Sequence, residues 1–257
     1  MPRAIAVILF AIISVSSLFV ITGFSSEPTT TASAPSSTSS EAISIADTPI
    51  DPIERKPEYT ALYREIFDRL ATRHYRGQKI DDELSQRYLA QFLDNLDPVK
   101  SYFLQTDIDE FMQWDTRLDD LAKRGDVEPG YTMFNRLRDR AISQLNANIA
   151  LLQDQDHEFD LTADETIILD GDKREWFRSA EEAESFWHKR IKDAMIRLLL
   201  NDKEADKARE LLIKRYQNQI KQFTQRDSQD VFQLYVNALS SLYDPHTSYF
   251  SPRTTEN

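Results

Sequence analysis

The chain has 257 residues, 43 of them acidic and 31 basic, so its formal net charge is −12. Its 5 glycines are too scattered for a Rossmann loop, a Walker loop or a nucleophile elbow, which need clustered glycines for tight turns. The absence of cysteine excludes disulfides, zinc–thiolate sites, iron–sulfur clusters and thiol catalysis. The acidic balance argues against nucleic acid as a partner, because neutralising phosphates requires a basic face.

Residues 1–26 have the pattern of an export signal. Arg3 gives a basic start, an apolar run follows over residues 4–24, and the small residues Gly23 and Ser25 suit a cleavage site. The apolar run is also long enough to span a bilayer, so an uncleaved N-terminal anchor is the alternative. Either interpretation predicts export, to the periplasm if the source is Gram-negative. The protein is then soluble or tethered to the inner membrane by residues 4–24, its only expected contact with a membrane.

Residues 27–58 are rich in serine, threonine and proline. Such a segment cannot bury enough apolar surface to offset the entropy lost on ordering, so it predicts a disordered tether.

From residue 59 onwards the apolar side chains recur with helical spacing. The pattern predicts a first helix around residues 62–70 and a second around residues 84–96, stopped by Pro98. A third helix is expected to start at a capping pair formed by Thr106 and Asp109 and to end at Gly125 in the left-handed conformation.

The fourth predicted helix begins with Pro129 at its first position. The periodicity then breaks, and short apolar pieces before residue 170 predict at most a marginal β-hairpin. Ser179 and Glu182 form a capping box for the next helix, another covers residues 203–224, and Asp227 or Ser228 caps the last. The fold class is therefore mainly α, with about seven helices in a domain over residues 59–250.

A short pattern occurs twice, after the second and after the last predicted helix. We call residues 97–103 the first corner and residues 244–250 the second corner. Their residues are Asp97, Pro98, Ser101, Tyr102 and Phe103 in the first, and Asp244, Pro245, His246, Thr247, Ser248, Tyr249 and Phe250 in the second.

Each part of this pattern has a structural role. Proline ends the helix before it, the aspartate accepts hydrogen bonds from turn amides, and the aromatic pair returns to the core. The repeat therefore predicts two rigid corners between helices, the second of which positions whatever follows it.

The second corner, followed by Ser251-Pro252-Arg253 and preceded by Ser228-x-Asp230-Val231-Phe232, resembles the C-terminal processing proteases. The likeness is closer to the tail-specific protease branch of bacterial periplasms, which Tyr75-Arg76 and the tryptophan-containing segment before Ser179 also resemble. In that family this helical region precedes a PDZ domain, which recognises substrate C-termini, and a protease domain with catalytic serine and lysine.

The resemblance implies a non-catalytic scaffold that encloses substrates of a serine endopeptidase acting on proteins with apolar C-termini. Its expected partners are the downstream PDZ and protease domains, those substrates and an adaptor protein. Residues 251–257 are then the start of a truncated connection to the PDZ domain. No position matches the family's active-site motifs, so the isolated chain is expected to be inactive. A stand-alone periplasmic interaction module is the alternative, and a membrane-bound helical sensor is a third possibility.

Apart from the resemblance, the residues themselves give little support for a catalytic or metal site. The spacing of His74, His157, His188 and His246 lacks the helical zinc-protease pattern. The corner residues Asp244, His246 and Ser248 have the composition of a catalytic triad but lie too close in a turn to converge. The acidic run that starts at Asp154 lacks the glycine of a calcium loop. The sequence therefore predicts no catalytic residue, no cofactor and no metal site.

Overall fold

The computed structural model describes residues 51–251, which form eight α-helices and no β-strand. The helices are α1 (Glu58–Arg73), α2 (Asp82–Leu96), α3 (Gln105–Phe111), α4 (Leu118–Arg124), α5 (Glu128–Gln153), α6 (Ala180–Leu199), α7 (Ala205–Thr224) and α8 (Ser228–Tyr243). Two 3₁₀ turns cover Met112–Trp114 and Gly171–Lys173. The mainly α prediction is confirmed. The predicted export segment, most of the predicted tether and residues 252–257 lie outside the described residues.

Two of the predicted helix starts are present. The Ser179 side chain accepts a hydrogen bond from the Glu182 amide at 3.3 Å and caps α6. Asp227 caps α8, because its carboxylate accepts hydrogen bonds from the Gln229 and Asp230 amides at 2.9 and 3.0 Å. Asp230 completes a capping box by accepting from the Asp227 amide at 3.1 Å.

The predicted third helix is two helices, α3 and α4, and Thr106 does not cap it. The N-cap of α3 is Leu104, two residues before Thr106, and the Asp107 carboxylate accepts a hydrogen bond from the Leu104 amide at 3.0 Å. The second of these helices, α4, starts beside Ser85 of α2. The Ser85 hydroxyl accepts a hydrogen bond from the Asp119 amide at 2.9 Å and donates one to the Asp119 carboxylate at 2.8 Å. This cap comes from 34 residues away, which is why the local pattern did not indicate it. Gly125 ends α4 at φ +76°, as predicted.

No hairpin forms between α5 and α6 within the described residues. The one isolated bridge in the described residues is a parallel pairing of Phe177, in this segment, with Leu104, which precedes α3. Side chains hold the start of this segment, since Arg209 of α7 donates hydrogen bonds to the carbonyls of Leu152, in the last turn of α5, and of Asp154, directly after it, at 3.1 and 3.0 Å. These contacts satisfy carbonyl groups at the C-terminal end of α5.

The buried apolar residues form two cores. The first lies among α1, α2, α3, α4, α8 and the first half of α5, and the second lies among α6, α7 and the second half of α5. At 26 residues, α5 is about 39 Å long and contributes to both cores. The half-buried Tyr102 and Phe223 also pack against both. The N-terminal residues 51–57 are attached to this body, since Asn135 of α5 pairs with both backbone groups of Ile53 at 2.9 and 3.0 Å.

None of the helices in the described part of the chain combines the length and the apolar character needed to cross a membrane.

Gly130 allows the close approach of α5 and α8. A Cβ atom at this position would lie 2.5 Å from Cγ of Tyr235, a fully buried ring. We expect Gly130→Ala to destabilise the domain by about 1–3 kcal/mol through overpacking. Gly77→Ala is the control, because no atom lies within 4 Å of its added Cβ. Urea denaturation measures both variants, and equal midpoints for the two would contradict the predicted contact.

The buried Asp107 carboxylate joins α3 to α5 through Arg136 and Arg140. The contact to Arg136 Nη1 is 2.5 Å and that to Arg140 Nε is 3.0 Å. Burial alone raises the pKa of Asp107, but hydrogen bonds from Arg140, the Leu104 amide and Arg136 outweigh burial and hold the pKa below its ordinary value.

Because the folded-state pKa of Asp107 is lowered, its contribution to stability is present above the unfolded pKa of about 3.9 and is lost as pH falls below it. We expect the unfolding free energy of the wild type to fall more steeply between about pH 5 and pH 2 than that of Asp107→Asn. Urea denaturation over a pH series measures this, with the exposed Asp109→Asn as control. Parallel curves for the wild type and Asp107→Asn would rule out the effect.

Candidate functional site

The first corner is organised by one buried carboxylate. Asp97 Oδ1 accepts a hydrogen bond from the Ser101 amide at 2.8 Å, and Oδ2 accepts from the Tyr102 and Phe103 amides at 2.8 and 3.1 Å. Three consecutive amides thus turn toward the end of α2. The turn requires a left-handed residue, and Lys100 adopts φ +49° there.

The segment before α6 covers the first corner. Lys100 Nζ donates to the Arg174 carbonyl at 2.7 Å, and Arg174 Nη1 donates to the Val99 carbonyl at 2.8 Å. Trp187 Nε1 of α6 donates to the Ser101 carbonyl at 2.8 Å. These contacts enclose the corner between the two cores.

In the second corner the aspartate has different partners. Asp244 Oδ1 accepts from the His246 amide at 2.7 Å and lies 3.0 Å from His246 Nδ1, while Oδ2 accepts from the Tyr75 hydroxyl. Hydrogen bonds from the Tyr75 hydroxyl and the His246 amide hold the pKa of Asp244 well below its ordinary value. The carboxylate is therefore anionic at neutral pH, and a distant tyrosine fixes its position.

Tyr75 belongs to the loop between α1 and α2, which makes two further contacts with the end of α8 and the second corner. The Gln78 side chain donates to the Leu242 carbonyl, and His74 Nε2 lies 3.2 Å from the Thr247 hydroxyl. The Arg76 amide donates to His74 Nδ1 at 3.2 Å, which assigns the ring proton to Nε2 as the donor to Thr247. The loop therefore fixes where the chain leaves α8.

After the second corner the chain runs back along α8. Asn237 accepts from the Tyr249 amide at 2.6 Å and donates to the Tyr249 carbonyl at 3.1 Å. Gln233 accepts from the Ser251 amide at 3.1 Å. The Tyr249 ring packs edge-on against Phe232, with centroids 5.5 Å apart. The backbone is held on both sides of Phe250.

The two corners differ in burial, and the expectation that both aromatic pairs return to the core is wrong for Phe250. Phe103 is 0% exposed, whereas Phe250 at the matching position is 58% exposed. Ser101 is buried and Ser248 is exposed. The reason is coverage: the segment before α6 encloses the first corner, and no corresponding segment of residues 51–251 encloses the second.

The geometry of the second corner suits positioning rather than bond cleavage. His246 contacts Asp244 but its side chain is 95% exposed, and within residues 51–251 no hydrogen bond joins it to Ser248. Across the same residues no three histidine, aspartate or glutamate side chains are gathered as ligands for a metal.

Sequence reasoning missed the roles of His74, Gln78 and Asn237 and the contact made by Tyr75. Tyr75 and Asp244 are 169 residues apart, so no local spacing relates them. The resemblance of Tyr75-Arg76 to a known branch was the one signal that pointed to this loop.

Comparisons with known proteins relate this chain to one family. Residues 66–253 match a family described as "Tail specific protease N-terminal domain". The tail-specific protease of Haemophilus influenzae is 35% identical over 189 residues. This match covers 73% of the chain but 27% of the relative, so the chain spans about a quarter of the length of that curated relative. Both corners lie within the matched residues 66–253.

Phe103 and Phe250 occupy the same position in the two copies of the repeat, so they form a matched pair for testing. We expect Phe103→Ala to lower the unfolding free energy by about 3–5 kcal/mol, because it empties a buried site. Phe250→Ala is expected to change it by no more than about 0.5 kcal/mol, because the ring is mostly in solvent. Chemical denaturation of both variants measures the difference, and a large loss in Phe250→Ala would show that the second corner is closed.

Proposed function

Because the chain belongs to the tail-specific protease family, whose N-terminal domain it matches, we propose that it is a non-catalytic helical scaffold. The scaffold serves a serine endopeptidase that degrades or processes proteins from their C-termini. Its tasks are to enclose the substrate and to position the domain that follows.

The observation that carries the proposal is the fixed exit of the chain at residues 249–251. The side-chain oxygens of Asn237 and Gln233 of α8 accept hydrogen bonds from the Tyr249 and Ser251 amides and hold the backbone there, and the loop containing Tyr75 holds the corner before it. Phe250 is left exposed on this fixed backbone. A rigid exit with an uncovered aromatic side chain suits attachment of a following domain at a defined angle.

The proposed partners follow from the family resemblance. The chain's resemblance implies a PDZ domain that selects apolar substrate C-termini and a protease domain that supplies serine and lysine for catalysis. We place the whole protein in the periplasm, as a soluble form or tethered by residues 4–24, and an adaptor protein is a further proposed partner. Asp244 and His246 contact each other in a way that fixes the corner, which supports placing peptide-bond cleavage in another domain.

A second candidate function is a stand-alone helical interaction module. The observation in its favour is that Tyr75, 73% exposed, and Phe250 both present aromatic surface beside the second corner. Such side chains are also typical anchors for a separate protein partner.

The mass of the native protein distinguishes the two functions. We expect antibody capture with serum raised to residues 59–257, followed by intact-mass measurement, to give a value well above the 29.9 kDa of this chain. Purified chain is expected to leave a peptide with an apolar C-terminus uncut, while the captured native protein cleaves it. A native mass at or a few kDa below 29.9 kDa would contradict the scaffold and favour the module. Hydrolysis that stays with the purified chain through repeated purification would overturn the non-catalytic assignment.

A further inference from the structure

A groove runs between α2, the 3₁₀ turn after α3 and the segment that covers the first corner. Its volume is about 420 Å³, within the range of about 300–1,000 Å³ that is typical of binding clefts. Its apolar lining consists of Leu89, Ala90 and Leu93 of α2, Met112 of the 3₁₀ turn and Trp176 of the covering segment. The groove lies beside the first corner, so it takes no part in the proposed exit of the chain at the second.

The floor of the groove is fixed by the first core. Leu89 and Leu93 are buried members of that core. The half-buried Trp176 ring packs edge-on against Phe103, with centroids 5.8 Å apart. Met112, by contrast, is 48% exposed. The apolar surface is therefore in place before any partner arrives, so covering it gains burial and costs little ordering entropy.

The groove carries a net negative charge. Asp94, Asp115 and Asp172 line it, and no cation of residues 51–251 forms an ion pair with any of the three. Among the described residues that line the groove, Lys100 is the one cation, and its ammonium donates to the Arg174 carbonyl at 2.7 Å. Uncompensated carboxylates around an apolar floor attract a ligand that is both cationic and apolar.

Charge also decides among the possible occupants of the groove. The part of the chain that precedes residue 51 has no basic residue after Arg3, so its tether offers no cation to the three carboxylates. Residues 252–257 contain one basic and one acidic residue, Arg253 and Glu256, and are neutral in sum. A second copy of the chain has a formal charge of −12 and is repelled. These comparisons favour a different, basic protein as the occupant.

We propose that the groove binds a short, basic amphipathic helix of another protein. Ala90 and Asp94 lie four and eight residues after Gln86, so the lining follows one face of α2 for about 12 Å. This length matches about two turns of a bound helix. The apolar face of that helix packs on Met112 and Trp176, while lysine or arginine at its edges pairs with the carboxylates.

The test measures binding to the purified full chain by fluorescence anisotropy. The probe is a short, labelled synthetic helix with leucine on one face and lysine along both edges. We expect one peptide to bind per chain, with an affinity that falls at least about threefold between low and physiological salt, because exposed ion pairs are screened. The same peptide with glutamate in place of lysine is expected not to bind.

Variants of exposed residues locate the binding surface. Ala90→Arg places a long cation in the groove and is expected to weaken binding at least about tenfold. Asp94→Asn combined with Asp172→Asn is expected to weaken binding about threefold or more and to reduce its salt dependence. Glu184→Gln combined with Asp206→Asn is the matched control. It removes two exposed carboxylates of α6 and α7 that do not line the groove, and it is expected to bind like the wild type.

Three results would overturn the proposal. One is a wild type that does not bind the lysine peptide at millimolar concentration, and another is equal affinity in the wild type and Ala90→Arg. Equal binding of the glutamate peptide would rule out the role of the carboxylates. Sedimentation of the same proteins tests the remaining occupant, because a dimeric wild type that Ala90→Arg converts to a monomer would assign the groove to a second copy of the chain.

Discussion

The Asp97 carboxylate accepts hydrogen bonds from the amides of Ser101, Tyr102 and Phe103, and the relation between the two cores depends on this turn. It sends Phe103 into the first core and leaves Tyr102 between the two. It also presents the Ser101 carbonyl to the indole of Trp187 in the second core. Since the carboxylate is buried, loss of these bonds would leave several polar groups unsatisfied away from water.

The helix α5 and the segment around Gly171 complete the same joint. A Cβ atom at Gly171 would lie 2.0 Å from the Pro98 carbonyl oxygen, so this position has to be glycine for the segment to cover the first corner. On the other side, Asp107 ties α3, which follows the corner, to Arg136 and Arg140 of α5. The first corner is therefore held on one side by the close backbone packing at Gly171 and on the other by the ion pairs of Asp107.

Most of the fold could be predicted because helices reveal themselves through local spacing. The caps at Ser179 and Asp227 and the left-handed Gly125 depend only on neighbouring residues, and all three are present. The break between α3 and α4 was missed because its cap, Ser85, comes from another helix. The same limit applies to the site. The repeat indicated both aspartates. The contact of the Tyr75 hydroxyl with Asp244 and that of His157 with His188 join residues far apart in the chain, so no local pattern predicts them.

The two corners show how one motif gives two outcomes. In both copies proline ends a helix and aspartate fixes a turn, which are properties of the motif itself. Whether the following phenylalanine is buried depends on what covers the corner, and only the first is enclosed by the segment before α6. At the second corner the backbone is already ordered by Asn237 and Gln233. A partner that covers Phe250 therefore gains apolar burial without ordering the chain, and this combination suits a corner that carries the next domain.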